Sequence, residues 1–199
     1  RGELTTKTCA VQTPVFMPVG TYGTVKGLTP EHLHDVGFEI ILGNAFHLHQ
    51  RPGLETIKKF NGLHDFMGWN KSILTDSGGF QIWSLNDLRK ITEEGVEFKS
   101  PLDGSKVFMS PENSIDTQLT LNSDIIMAFD ECTDYPSSYE DAEQSMHLTH
   151  RWTERSFDYF QKHQKGHLLF GIVQGGMHEE LRKQSLAYMN NLQLDGVAL

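Results

Sequence analysis

Cysteine is nearly absent from this chain: Cys9 and Cys132 are the only two among 199 residues. Two distant thiols make no disulfide framework and fit a reducing cytosol, and without a Cys-x-x-Cys pair there is no zinc spacing to read. Long apolar runs are also missing. None approaches the roughly 18 residues that suggest a membrane span. Basic surplus is missing as well, since 17 Lys and Arg face 26 Asp and Glu for a net charge of -9. A chain whose main partner is a nucleic acid usually carries a basic stripe. Here Lys58-Lys59, Arg89-Lys90 and Lys162 to Lys165 are short and scattered, so charge argues mildly against nucleic-acid binding by this stretch. The opening Arg1-Gly2-Glu3-Leu4 shows no apolar core followed by a cleavage site, so these residues are not expected to be a signal peptide. It is not an initiator Met either, which leaves room for residues before it.

What is present is a repeated arrangement in which a short apolar run stops at a polar or glycine-rich tip and a helix-like segment follows. Val15 to Val19 ends in Gly20-Thr21-Tyr22-Gly23, and Ile40-Ile41-Leu42 ends in Gly43-Asn44-Ala45-Phe46-His47. Ser72 to Thr75 ends in Asp76-Ser77-Gly78-Gly79, and Asp124 to Phe129 ends in Asp130-Glu131-Cys132. Leu168 to Val173 ends in Gln174-Gly175-Gly176, and a sixth run is Gly196-Val197-Ala198-Leu199. Continuous rather than alternating apolar runs predict strands buried on both faces. Between them, Thr29-Pro30-Glu31 reads as a helix start with Gly37 as its stop, and Ser110-Pro111-Glu112 repeats that start. Ser138 caps a long helix to about His163, with Ala142, Met146, Thr149, Thr153, Phe157 and Phe160 at helical spacing. A further helix covers Glu179 to Leu192.

One stretch breaks the rhythm. Val96 to Lys99 and Lys106 to Met109 flank Pro101-Leu102-Asp103-Gly104-Ser105, a β-hairpin with its turn at Asp-Gly, inside an insertion of about residues 84–110. Buried strands alternating with helices mean a parallel α/β architecture. Polar tips on strand after strand favour a (β/α)8 TIM-type barrel over an open doubly wound sheet, because barrel active sites gather at the C-terminal strand ends. A full barrel needs about 250 residues. Residues 1–199 therefore read as the first part of a single barrel domain, and this stretch alone is not expected to close one.

The tips carry the chemistry. Asp76-Ser77-Gly78-Gly79 reads as a local turn, with Asp and Ser bonding backbone and Gly supplying positive φ. It also reads as a catalytic carboxylate beside bare backbone that a ligand can approach, with Phe80 able to cover a flat ring. Asp130 follows an almost wholly apolar strand, where an unpaired charge is costly. It reads either as a structural ion pair or as a carboxylate accepting two parallel N–H donors, such as those on one edge of guanine. Gln174 is either a solvated turn residue or an amide that reads a carbonyl or ring nitrogen, with Gly175 and Gly176 exposing backbone N–H groups. Two carboxylates suit glycosidic chemistry and also recognition of a base. His32-x-His34 points apart on a helix, and His47-x-His49 follows a strand tip. Neither pair has a further ligand at metal spacing, so surface or packing histidine is the favoured reading of each.

These residues resemble the tRNA-guanine transglycosylases, the queuine tRNA-ribosyltransferase family. The resemblance is carried by Thr75 to Gln81, by Phe129-Asp130-Glu131-Cys132-Thr133 and by Gly171 to Gly176. Phe16 to Gly27 and Ile41 to Leu48 add to it, and it runs from about Thr13 to Leu199. It implies a modified TIM barrel that exchanges guanine at the wobble position of certain tRNAs for a deazaguanine, on the route to queuosine. An enzyme Asp attacks the ribose anomeric carbon, guanine leaves, and the incoming base displaces the enzyme. Asp76 matches the general acid/base of the family and Phe80 its stacking aromatic. Ser77, Gly78 and Gly79 match pocket residues. Asp130 and Gln174 match the groups that read the guanine-like edge, and Gly175 adds a backbone N–H. Cys132-Thr133-Asp134-Tyr135-Pro136 is similar to the bacterial subgroup, which takes 7-aminomethyl-7-deazaguanine and works as a homodimer in the cytoplasm.

The resemblance also implies parts that lie beyond Leu199: the nucleophilic Asp, the ligands of a structural zinc, and the basic segments that grip the tRNA anticodon loop. No residue here is assigned to metal, and the fragment alone is expected to be inactive. Two other readings remain: a truncated product that only holds a base, and a metal-dependent barrel hydrolase built on His47 and His49. The second ranks far behind, because the first strand tip offers no ligand.

Overall fold

In the computed structural model the described residues are 1–85 and 89–199, so residues 86–88 of the expected insertion lie outside them. An antiparallel hairpin of β1 (Gly2–Thr5) and β2 (Ala10–Thr13) opens the chain. Nothing in the sequence reading anticipated it. Six strands then form a parallel sheet: β3 (Val19–Gly20), β4 (Ile40–Gly43), β5 (Ser72–Thr75), β9 (Ile125–Met127), β10 (Leu168–Ile172) and β11 (Gly196–Ala198). Their order is β11-β10-β9-β5-β4-β3. Among the described residues β3 and β11 are the two edges of the sheet and do not pair, as expected of a partial barrel. A separate antiparallel sheet of β6 (Arg89–Ile91), β7 (Val96–Lys99) and β8 (Lys106–Met109) is the insertion. Asp103 Oδ1 accepts from the Ser105 N–H at 3.1 Å, and Gly104 holds φ 73° in the turn.

The helices start where the sequence predicts. Thr29 caps α1 (Pro30–Val36) by accepting from the His32 N–H, and Gly37 ends it at φ 87°. Ser110 Oγ accepts from the Asn113 N–H at 3.2 Å to begin α6 (Pro111–Leu121), and Ser138 Oγ accepts from the Asp141 N–H at 3.1 Å to begin α7 (Tyr139–His163). The buried stripe of α7 includes Ala142, Met146, Thr149, Thr153 and Phe160, with Trp152 and Ser156 added and Phe157 only half-buried. α8 (Glu179–Asn191) follows β10. Several short helices were not foreseen: α2 (Ala45–Leu48), a π-helical turn at His49–Gly53, α3 (Leu54–Lys58), α4 (Leu63–Met67) and α5 (Gly79–Trp83).

The first expected strand needs correction. Val15 to Pro18 is not a buried strand; only Val19–Gly20 pairs, and Phe16 is 71% exposed. Pro14 and Pro18 lack the N–H that a ladder needs. Pro18 contributes only its carbonyl, accepting from the Leu42 N–H at 2.9 Å.

The chain forms two compact units: Arg1–Asp76 with Asp116–Ile126 and Gln164–Leu168, and Ser77–Ile115 with Met127–His163 and Leu169–Leu199. The first has a core of Ile41, Leu48, Ile57, Leu63, Ile73 and Leu121, all fully buried, packed with Trp69. Each such side chain contributes about 1.5–3 kcal/mol on burial. The floor of this unit is tied by a buried carboxylate. Asp124 accepts from the Ile73 N–H at 2.8 Å, the Thr8 N–H at 3.1 Å and His64 Nε2 at 3.1 Å. Burial by itself raises the Asp124 carboxyl, but these hydrogen bonds outweigh it and hold the group below its ordinary value. In the second unit Phe129 stacks on Trp152 with centroids 5.0 Å apart, and Ala142, Met146 and Leu181 join α7 to α8.

Candidate functional site

Asp76 ends the rise of β5 in the first unit, and its N–H still reaches the Gly43 carbonyl at 3.1 Å, extending the ladder by one bond. That register sets its carboxylate beside the tip of β4. Oδ1 accepts from the Ala45 N–H at 2.9 Å, and Oδ2 accepts from the Asn44 side-chain amide. Directly beneath, Thr75 is fully buried, and its hydroxyl bonds Ser123 Oγ at 2.7 Å and donates to Gln118 Oε1 at 3.1 Å. A paired polar layer of this kind fixes the strand end without leaving an orphan group.

Ser77, the next residue, belongs to the second unit, where the end of β9 delivers Asp130. The Asp130 carboxylate is buried and surrounded by donors. Ser77 Oγ donates to Oδ1 at 2.9 Å, Gln174 Nε2 donates to Oδ2 at 2.9 Å, and Cys132 Sγ lies 3.6 Å from Oδ2. Burial pushes the Asp130 carboxyl up from its ordinary value, against the opposing pull of Ser77, Cys132 and Gln174. The same burial, with the Asp130 charge beside it, pushes the Cys132 thiol far up, so Cys132 is a neutral thiol. Ser77 is itself held from both sides: its Oγ accepts from the Gly79 N–H at 3.1 Å, and its carbonyl accepts from Ser114 Oγ at 2.7 Å. Gly78, at φ 85°, turns the chain into α5. Gly79 leaves no room for a side chain: a Cβ there would stand 2.7 Å from the Asp130 backbone oxygen.

Phe80 projects from α5 with 61% of its surface exposed and stacks on Trp83 at a centroid distance of 5.3 Å and 30° between planes. Gly175 and Gly176 hold φ 115° and 55° after β10. A Cβ on Gly175 would stand 2.8 Å from the Arg182 N, so this turn packs tightly on the start of α8. The second unit thus brings Ser77, Gly79, Asp130 and Gln174 together, while Asp76 stands in the first unit on Asn44 and Ala45.

The histidines are engaged otherwise. His34 stacks on Trp69 at 4.7 Å, His47 lies 5.2 Å from the Tyr22 ring, and His49 Nδ1 is 3.5 Å from Thr117 Oγ1. Among the described residues no group of three or more His, Cys, Asp and Glu is placed to hold a metal ion. Three neighbours escaped the sequence reading as site residues: Asn44 against Asp76, Cys132 against Asp130 and Ser114 against the Ser77 carbonyl. The position of Asn44 directly after the β4 run, one strand over from Asp76, was the available signal.

The family model for queuine tRNA-ribosyltransferase matches residues 1–199. The chain belongs to the queuine tRNA-ribosyltransferase family. Relatives described as queuine tRNA-ribosyltransferase agree with it throughout. The one from Dechloromonas aromatica (strain RCB) is 58% identical over 199 residues, all of this chain and 54% of the relative. That from Psychrobacter sp. (strain PRwf-1) is 57% identical over 199 residues, covering 52% of the relative, and that from Azoarcus sp. (strain BH72) is 56% identical over 199 residues, covering 54%. The chain spans about half the length of the curated relatives it matches. No helix among the described residues is long and apolar enough to cross a membrane.

Proposed function

We propose that this chain is the N-terminal part of a tRNA-guanine transglycosylase, residues 1–199 of a single (β/α)8 catalytic domain with its insertion at about 84–110. The whole protein exchanges guanine at the wobble position of tRNA for 7-aminomethyl-7-deazaguanine in queuosine biosynthesis. The observation that carries this reading is Asp130, a buried carboxylate at a strand end whose partners, Ser77 and Gln174, are neutral donors rather than a cation. A structural ion pair would supply the cation. An ionised carboxylate has about four acceptor positions. Ser77 and the weak donor Cys132 take two of them, and once Gln174 turns to the base two remain for the adjacent ring N–H and exocyclic amino group of a guanine.

In this reading Gln174 turns its amide to the base carbonyl and Gly175 adds a backbone N–H. Ser77, Gly78 and Gly79 form the pocket floor, and the exposed ring of Phe80 stacks on the base. Asp76 acts as general acid/base, held ready by Asn44 and Ala45. The reaction runs as two displacements. A carboxylate outside residues 1–199 attacks the ribose anomeric carbon, the glycosidic C–N bond breaks, and guanine takes a proton as it leaves. The incoming base then gives up its ring N–H proton, attacks the same carbon and releases the enzyme carboxylate. Asp76 supplies the first proton and recovers the second, so the cycle balances. Residues 1–199 alone hold a base but lack the attacking group.

Zinc belongs to this reading as a structural ion whose ligands lie outside residues 1–199. The residues here do not suit it: Cys9 Sγ pairs with Ser72 Oγ at 3.2 Å, Cys132 with Asp130, and no described cluster offers three ligands. No step depends on it. The remaining parts of the reading are a homodimer, a cytoplasmic location and contact with the tRNA anticodon loop. The test is exchange of labelled guanine into tRNA by the full product that carries this chain, with calorimetry of guanine on residues 1–199. Base binding without exchange by the full product favours a base-holding protein with no catalysis, and the absence of both binding and exchange rejects both readings.

A further inference from the structure

Behind Gln174 runs a second line of hydrogen bonds, which starts at its backbone N–H and leads away from Asp130. The Gln174 backbone N–H donates to Ser185 Oγ on α8 at 3.0 Å. Ser185 Oγ stands 3.1 Å from His150 Nε2 on α7. The His150 ring lies flat on Tyr188, 4.0 Å between centroids and 6° between planes, and Tyr188 Oη donates to Glu154 Oε1 at 2.5 Å. Ser185 is fully buried and His150 almost so. With the Ser185 oxygen accepting from Gln174, its hydroxyl proton is free to go to His150 Nε2, which requires a neutral imidazole with that nitrogen bare. Burial pushes His150 down to about 4, which keeps it neutral at physiological pH.

We infer that Ser185 and His150 are positioning residues that fix the backbone of Gln174, and so the reach of its side-chain amide, for recognition of a guanine-like base. The inference rests on the base-reading role proposed for Gln174. Gln174 stands two residues past the end of β10, and the Gly175 turn that follows it packs on the start of α8, the helix that carries Ser185. The bond to Ser185 holds the N–H of the Gln174 peptide, opposite the carbonyl of Val173, which accepts from Arg182 at 3.5 Å. An amide that samples several directions loses affinity through the ordering it then needs on binding.

The test is a double-mutant cycle of guanine binding by calorimetry in the full product that carries this chain, using S185A, Q174A and the pair. Q174A and S185A are each expected to weaken guanine about tenfold. The double variant is expected to bind no more weakly than Q174A alone, because Ser185 acts only through Gln174. S185T, which keeps the hydroxyl, restores binding. H150F keeps the stack on Tyr188, removes the acceptor and weakens guanine less than S185A does; it decides the matter should S185A fail to fold. Additive losses, or full affinity in both S185A and H150F, overturn the inference while leaving base recognition intact. Unchanged affinity in Q174A overturns the base-reading role itself, and the inference with it.

Discussion

A Cβ atom at Gly79 would stand 2.7 Å from the backbone oxygen of Asp130 and closer still to its carboxylate. The two residues come from different strand ends, yet one has no side chain because the other fills the space. Gly79→Ala is therefore expected to push Asp130 off Ser77, costing about 1–3 kcal/mol of stability as overpacking does. Guanine affinity should fall at least as steeply. Urea unfolding and calorimetry measure the two effects, and an alanine variant with wild-type values for both would mean that the loop yields freely.

Asp130→Ala removes the acceptor proposed for both base N–H groups, and base binding should drop by roughly 2–3 kcal/mol, the scale of hydrogen bonds to a charged group. Unchanged affinity would remove Asp130 from recognition.

The same carboxylate carries a pH signature. Its folded value is raised by burial, so the ionised form costs stability at every pH above that raised value. The cost fades as pH falls through it and is gone below the unfolded carboxylate value. The stability gap between Asp130→Asn and the parent should thus narrow as pH falls, while guanine binding by the parent weakens over the same window. Thermal melts and calorimetry from neutral to acid pH follow both; a gap that widens on acidification contradicts the burial argument.

Asp76→Asn keeps an oxygen for the Ala45 N–H but sets one amide nitrogen against that of Asn44. Folding should survive, with a stability change near 1 kcal/mol. Exchange of labelled guanine by the full product should fall by a factor of about 10²–10⁴, the worth of a general acid/base. Full activity in the Asn variant would take Asp76 out of the mechanism.

Asp124 has the opposite sign from Asp130. Its folded value is depressed, so its stabilisation is present above the unfolded carboxylate value and is lost as pH falls through the folded one. Asp124→Asn should cost about 2–3 kcal/mol near neutral pH and progressively less in acid. Chemical denaturation at several pH values gives the slope.

Much of the scaffold was legible in the sequence. Five apolar runs became strands of the parallel sheet close to where they were read, because a strand buried by neighbours has no use for polar residues. Thr29, Ser110 and Ser138 announced their helices through hydrogen bonds that reach only three residues along the chain. Asp103-Gly104 marked its turn for the same local reason. The run from Val15 misled: its apolar residues imitate a strand, while Pro14 and Pro18 withhold the donors. The opening hairpin was missed because Gly2–Thr5 and Ala10–Thr13 are mostly exposed and carry no apolar pattern.

For the candidate site the division is sharper. The sequence by itself determined which side chains stand at strand ends: Asp76, Asp130 and Gln174, each directly after an apolar run, with glycines where the chain has to turn. It also determined the family. Only the tertiary structure decided what those side chains touch. Asn44 on Asp76, Ser77 and Gln174 on Asp130, and Ser185 behind Gln174 are pairs separated by 11 to 53 positions in the chain. Strand register and helix packing bring them within hydrogen-bonding distance, and neither is written in the neighbourhood of any one residue.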